Sequence, residues 1–313
     1  MIGRVCQRLA EIGRSIVRSE THAADLAQSL ARIETKLDRL AGALEDGNRA
    51  VTDIATVMVR DAVLQAMDDP RLADERRLER HGFRVHSQFD EDGIIDEIFR
   101  RIGTTSRTFV EFGAGDGSEN CTGFLLMQGW RGLWIDGSER FPVFVKAGWP
   151  RELERGQLVA RNLFITVDTI DDVIREAGFA GEIDFLAVDV DGNDYHFLEN
   201  IKAVAPRVVC AEYNANIPPH VVWHMERKDD LVWDGLDYRL GASLKALEQL
   251  MAGRGYTLVG CSLAGINAFF VRSDLVGDKF AGPFTAENHY HQWRKIYQGA
   301  GRGTNWREWV SRR

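Results

Sequence analysis

The chain has 313 residues, 44% of them hydrophobic and 27% charged, with a formal net charge of −8. This is the composition of a globular protein with a packed core, long enough for one domain of ordinary size and an appendage. The acidic balance excludes a broad electrostatic attraction for nucleic acid, and no uninterrupted apolar run approaches the roughly 20 residues of a membrane span.

From residue 2 to about 58, apolar residues recur at alternating steps of three and four. One column contains Ile2, Leu9, Ile16, Ala23, Leu30, Leu37, Leu44, Val51 and Met58, the other Val5, Ile12, Leu26, Ile33, Leu40 and Ile54. Two columns sustained over that length predict an N-terminal α-helical coiled coil, a homo-oligomerisation helix over residues 1–67. Ser19, Gly47 and Asp61 interrupt the second column, and Gly47 predicts a bend. Folding of this helix back onto the following domain is the alternative. Arg4, Arg8, Glu11 and Arg14 break up any apolar signal-peptide block.

Asp68, Asp69 and Pro70 end the pattern, because a proline disfavours the helical conformation in the residue before it. The run that follows, to residue 82, reads as a charged, water-facing linker. The main domain is expected over 83–285. Its first element is an amphipathic helix containing Ile94, Ile95, Ile98, Phe99 and Ile102, with Ser87 as N-cap, acids in the first turn and Gly103 as the stop.

Residues 108–136, TFVEFGAGDGSENCTGFLLMQGWRGLWID, organise the rest. A short apolar strand with Glu111 near its end passes into glycines at alternate positions, Gly113, Gly115 and Gly117, followed by a helix over 122–128 and a strand over 132–135 ending in Asp136. Strand, glycine turn, helix, strand and terminal acid form a nucleotide-binding βαβ unit, whose acid can accept hydrogen bonds from ribose hydroxyls. The dinucleotide fingerprint requires a glycine three residues beyond Gly115, where this chain has Ser118. The spacing found instead resembles motif I of class I S-adenosylmethionine (SAM) methyltransferases. A glycine turn that binds nothing is the alternative.

Further along, strands are predicted at 158–160, 183–190, 207–211, 256–261 and 268–271, the last antiparallel, with helices starting near Asp168, His196 and Gly241. Alternation of this kind predicts an α/β fold with a doubly wound, Rossmann-like sheet. Ligands bind such sheets at the carboxyl ends of the strands, where Glu111, Asp136, Asp189 and Glu212 are expected.

SQFDEDGIIDEIF, FVEFGAGDG, IDFLAVDVDGNDY and RVVCAEYNA together resemble the FkbM-like branch of SAM-dependent methyltransferases, over roughly residues 85–275. The resemblance implies a class I methyltransferase domain, SAM as cofactor and methylation of hydroxyl groups on sugars or natural products. It places Glu111, Gly113, Ala114, Gly115, Gly117, Asp136, Gly137 and Asp189 at the cofactor, with Asp136 on the ribose. No Asn-Pro-Pro-Tyr type motif is present, so amino methylation of nucleobases is not supported.

A sugar hydroxyl is a poor acid, and methyl transfer to it needs alignment with a base or a metal that lowers its pKa. Asp189 and Glu212 are candidates for this task, alone or sharing magnesium or manganese with Asp191 and Asn214 as further oxygen ligands. The same Asp191-Gly192-Asn193-Asp194 segment also suits a turn and a helix start. His220, in the Pro-Pro loop that could cover the acceptor, is a candidate base; His224 is a second, and Trp223, Trp233 and Tyr238 could stack on a sugar. Cys6, Cys121, Cys210 and Cys261 are scattered and read as reduced, mostly buried thiols of a cytoplasmic protein. The segment 286–313 reads as a basic and aromatic tail, packed on the domain or held at an anionic membrane surface. Two other functions stay open on the sequence: methylation of another small molecule without a metal, and a coiled-coil scaffold whose methyltransferase fold is not catalytic.

Overall fold

The computed structural model describes residues 36, 39, 42–43, 46–51, 53–54, 57–58, 61, 63–115, 117–190, 192–229 and 239–292. The chain divides into two compact units, 1–55 and 56–313. Most of the heptad columns lie outside the described residues. Those described within 36–67 are helical, and among them Val51 is 66% exposed, Ile54 61% and Met58 51%.

The larger unit is built on one seven-stranded sheet. Its strands are β1 (Thr108–Phe112), β2 (Arg131–Asp136), β3 (Leu158–Asn162), β4 (Gly181–Val188), β5 (Val204–Glu212), β6 (Tyr256–Cys261) and β7 (Asn267–Arg272), in the order β3-β2-β1-β4-β5-β7-β6. The first five pair in parallel, while β7 runs antiparallel to both β5 and β6. Strand order reverses between β1 and β4, which is the topological switch point of a doubly wound sheet.

The parallel strands read as continuous apolar runs because both sheet faces are covered. On β1, Val110 and Phe112 enter one core, together with Ile170, Ile174, Phe197 and Leu247 from three helices, α5 (Ile170–Glu176), α6 (Asp194–Asn200) and α7 (Leu244–Gly253). Phe109 enters the opposite core, packed with Ile94, Ile98, Leu125 and Phe141 from α1 (Glu91–Ile102), α2 (Gly123–Met127) and α3 (Phe141–Gly148). The remaining helices are short: α4 (Pro150–Glu154), α8 (Ser273–Val276) and α9 (Ala286–His289). No helix among the described residues is long and apolar enough to cross a membrane.

At the amino ends of the strands a buried ion pair fastens α1 to the sheet. Asp184 is fully buried and accepts from Arg207 Nη1 at 2.8 Å, from Thr105 N at 3.0 Å and from Arg107 N at 2.7 Å. Burial by itself would raise this carboxyl, but Arg207 and the backbone donors hold it below the usual range. Arg207 also donates to the Gly103 and Ile102 carbonyls, closing the C-terminal end of α1.

Two expectations are corrected here. Residues 70–82 are not a water-facing linker: two short turns of 3-10 helix, Pro70–Ala73 and Leu78–His81, bury Leu72 and Leu78 and take Arg77 (3% exposed) and Glu79 (0%) inside with them. The physical reason is pairing: Glu79 contacts His291 at 2.9 Å and Arg77 at 3.5 Å, and Arg77 reaches His289 and Asn288. These same contacts dock residues 286–291, while 293–313 lie outside the described residues. Ser87 is not the N-cap of α1, a position held by Asp90. Its Oγ accepts the Asp92 N–H at 3.2 Å, satisfying a first-turn donor from farther back.

Candidate functional site

The strand register assembles the site. Phe112 lies beside Ile135 and Val188, and Val188 beside Ala211. One residue further along each strand, Asp136, Gly113, Asp189 and Glu212 therefore stand in a row across the carboxyl ends of β2, β1, β4 and β5.

The glycine loop is held from both sides. Glu111, 3% exposed, accepts hydrogen bonds from Asn120 Nδ2 at 2.7 Å, Cys121 N at 2.8 Å and the Thr122 hydroxyl, so both of its oxygens are engaged by the far end of the loop. Thr122 in turn accepts from Trp134 Nε1 at 2.7 Å. Burial pushes the Glu111 carboxyl up to about 7, against the lowering effect of its three donors. Asp136 grips the near end, with Oδ2 accepting from Gly115 N at 2.8 Å and Oδ1 from Ser138 N at 2.7 Å. Asn162 Nδ2 donates to the Asp136 and Ser138 carbonyls and secures the chain behind the acid.

Gly113 and Gly115 need to be glycine for different reasons. Both have positive φ, +70° and +59°. A Cβ on Gly113 would fall 1.5 Å from the Asp189 carbonyl oxygen, so the switch point closes only around a glycine. A Cβ on Gly115 would meet nothing within 4 Å, which identifies the open side of the loop. Ala114 is buried, and Gly117 turns inward against Trp134 and Val145. Gly137, which follows Asp136, packs against Phe164, which is 57% exposed.

Asp189 is exposed and Glu212 half-buried, one strand apart. Asp191 lies outside the described residues. Asn214 is turned into its own loop: Nδ2 donates to the Leu240 carbonyl at 3.0 Å, and Oδ1 accepts from Asn216 N and Nδ2 at 3.0 and 3.1 Å. Among the described residues no three His, Cys, Asp or Glu side chains are gathered to hold a metal. Asp194 accepts from Val190 N and Gly192 N, and Asn193 exchanges hydrogen bonds with the Lys228 backbone, so the turn after β4 is locally tied.

His220 is exposed and makes no side-chain hydrogen bond among the described residues. His224 stacks on Tyr195 with ring centroids 4.0 Å apart, and its Nδ1 shares the Met225 carbonyl with His196 Nε2. Trp223 is half-buried and its backbone pairs with Ser243, while Trp233 and Tyr238 lie outside the described residues. The sequence reading missed Asn120, Thr122, Trp134 and Asn162. Only adjacency to the glycine turn could have suggested the first two, and nothing local marks Trp134 or Asn162.

A doubly wound sheet with a glycine turn at its switch point, an acid closing the next strand and an antiparallel last strand fits the class I SAM-dependent methyltransferase fold. Residues 146–258, about a third of the chain, match the family model described as Methyltransferase FkbM domain. The matched segment runs from within α3 into β6, follows the glycine loop, and supports a SAM-dependent methyltransferase. No curated protein matches the chain.

Among solved structures it is similar to an O-methyltransferase from Bacillus cereus in complex with SAH, at 17% identity over 56% of this chain and 76% of that one, TM-score 0.39. It is also similar to a SAM-dependent methyltransferase from Clostridium acetobutylicum (11% identity, 66% and 96% of the two chains, TM-score 0.36). A glycopeptide N-methyltransferase complexed with SAH gives 13% identity over 57% and 88%, TM-score 0.36. These are remote likenesses, and the geometry of the site rests on this chain's own residues.

Gly113→Ala and Gly115→Ala should therefore separate two roles. Backbone strain of about 1–3 kcal/mol applies to both. At position 113 the clash with Asp189 adds to it, so melting temperature and calorimetric SAH binding should both collapse. At position 115 the fold should persist while SAH binding weakens by roughly tenfold or more, about 1.4 kcal/mol. Equal loss of stability in the two variants would contradict the assignment of the open side.

Glu111 gives a pH signature. Its carboxyl titrates near 4.5 when unfolded and about 7 when folded, so the folded state binds more protons between those values. Its contribution to stability is fully present below the lower value and is lost as pH rises to the upper one, by roughly 3 kcal/mol. Urea denaturation across this range should show wild type losing stability relative to Glu111→Gln up to pH 7, and no further change above it. Parallel curves would show that Glu111 stays ionised throughout.

Proposed function

We propose that the chain transfers a methyl group from SAM to a hydroxyl of a sugar or glycan-related acceptor. The observation that carries this reading is the row Asp136, Gly113, Asp189 and Glu212 across the switch point, with the open side of Gly115 next to it. Bound against this loop, SAM supplies a methyl group on an electrophilic sulfonium.

The residues of the chain have distinct tasks in that reading. Asp136 holds the loop at Gly115 and accepts hydrogen bonds from the ribose hydroxyls. Gly113, Ala114, Gly115, Gly117 and Gly137 form a backbone surface close enough for the ligand to lie against, and Phe164 offers an exposed ring beside it. Glu111 positions the loop from below through Asn120, Cys121 and Thr122.

Asp189 and Glu212 hold the acceptor hydroxyl in line with the methyl group and take up its proton as the new C–O bond forms and the C–S bond breaks. His220, on the loop after β5, is the alternative proton acceptor. If magnesium or manganese is bound, Asp189 and Glu212 would hold it from adjacent strand ends, with Asp191 and Asn214 as further oxygen ligands, and it would lower the pKa of the acceptor hydroxyl.

Among the described helical residues, Val51, Ile54 and Met58 are exposed on the heptad columns, which favours burial against a second copy. In this reading the N-terminal segment 1–67 joins catalytic domains into a homo-oligomer. Sedimentation equilibrium should give at least a dimer for the full chain at micromolar concentration, and a monomeric mass would exclude it.

For the cofactor, calorimetry should show saturable SAM binding to the parent and a loss of about a hundredfold or more in Asp136→Ala, roughly 3 kcal/mol. Radiolabelled SAM incubated with free monosaccharides and nucleoside-diphosphate sugars should label at least one acceptor, and Asp189→Asn should slow labelling while SAM still binds. Binding without transfer to any hydroxyl compound would reject the acceptor class; absence of binding would reject the enzyme.

A further inference from the structure

A concave site lies at the opposite end of the sheet from Asp136, Asp189 and Glu212. It is a cleft of about 670 Å³ walled by Arg76, Arg80, the last turns of α1 with Glu97, Arg100 and Arg101, and Lys279. Gly103, which follows α1, is bonded to Arg207, and Lys279 follows α8 at the end of the antiparallel strand β7. Both features place the cleft at the amino ends of the parallel strands, away from Asp136, Asp189 and Glu212.

Five cationic side chains line this cleft with two carboxylates, Glu75 and Glu97, in a chain whose net charge is −8. Glu97 is buried and shared: Arg100 approaches it through Nε at 2.5 Å and Nη2 at 2.7 Å, and Arg101 through Nε at 2.7 Å. One carboxylate balances only one of these two guanidiniums. Arg101, with its side chain 8% exposed, is locked further by the carbonyls of Arg76 at 2.6 Å and Lys279 at 2.8 Å. The charged wall is therefore rigid before any ligand arrives.

Donors remain on its exposed rim. Arg80 uses Nη1 on the Leu72 carbonyl at 2.6 Å and has no hydrogen-bond partner for Nε and Nη2 among the described residues. Arg100 keeps Nη1, and Arg76, paired with Asp74 through Nε and Nη2, keeps Nη1. Asp96 and Asp278 flank the site and lower its field without closing it. Several guanidinium groups lining one cleft suit a phosphoryl group, whose oxygens can accept their N–H groups in pairs. The cleft, about 670 Å³ and open to solvent, has room for an organic body beside the phosphoryl group.

We propose that this cleft binds a small soluble phosphorylated molecule through Arg80, Arg100 and Lys279, at a site separate from the methyl-transfer crevice. Arg80 and Arg100 are exposed, so Arg80→Gln/Arg100→Gln removes rim donors and leaves the Glu97–Arg101 pair in place. The test is calorimetry on the full chain with glucose 1-phosphate and with inorganic pyrophosphate, at low salt and at about 0.15 M, where the Debye length is about 8 Å.

Saturable binding of either probe that persists at the higher salt is expected, weakened about tenfold or more in the double variant, with SAH binding and melting temperature unchanged. No binding at millimolar probe, equal binding by the double variant, or competition of either probe with SAH would each overturn the proposal. So would capture only by vesicles containing phosphatidic acid, because that would locate the phosphoryl group on a lipid surface.

Discussion

The loop from Gly113 to Thr122 has little apolar surface of its own, and its conformation depends on two carboxylates placed at its ends. Glu111 accepts the Asn120 amide, the Cys121 N–H and the Thr122 hydroxyl from beneath, and Asp136 accepts Gly115 N from the neighbouring strand. Backbone amides that would otherwise point at nothing are thereby satisfied without filling the space above Gly115. A nucleotide-type ligand needs that space. The same arrangement forces β1 and β4 so close that only hydrogen fits between Gly113 and the Asp189 carbonyl. Loop order, crevice width and the approach of Asp189 to the ligand are thus consequences of one packing constraint.

Around this constraint the protein buries an unusual amount of charge. Asp90, Glu91 and Asp92 at the start of α1 are all buried. Asp92 gathers the Val85, His86 and Ser87 N–H groups, yet burial still pushes its carboxyl up to about 6. Glu91 joins Phe89 N to Asn267, the residue paired with Glu212 across β5 and β7. Burial and the adjacent Glu91 raise Asp90 as well. Each of these acids accepts from backbone or amide donors, and together they fix the segment 83–92 against the carboxyl end of the sheet. Glu79, Arg77, His289 and His291 do the same for the C-terminal segment. Breaking one member of such a set leaves a buried charge behind, which costs far more than the pair contributes.

The two ends of the sheet consequently have different chemistry. At the carboxyl ends stand the carboxylates of Asp136, Asp189 and Glu212. At the amino ends, Asp184 and Glu97 are surrounded by guanidinium groups, and in Glu97 the hydrogen bonds of Arg100 and Arg101 outweigh burial and take the carboxyl down to about 2. α1 runs between them, acidic at its start and basic at its end, in the sense that its own dipole favours.

Local pattern determined the alternating elements, the glycine turn, Gly103 as the stop of α1 and the antiparallel last strand, because apolar period, glycine and terminal acids act within a few residues. It also marked Asp136 and Glu111 by their distance from the glycines. What Glu111 touches could not be read, since Trp134 reaches Thr122 only after β2 has paired with β1. Nor could the burial of Arg77 and Glu79, whose partners His289 and His291 lie some 210 residues away; a charged run reads as solvated until a distant countercharge is brought to it. The position of Asn214 after Glu212 is visible in the sequence, and its turn with Asn216 is not. Sequence thus determined which groups exist and on which strand ends they stand, through short-range sterics and periodicity. Tertiary structure decided which of them face a ligand and which face each other, because register and long-range ion pairing are set only when the sheet closes.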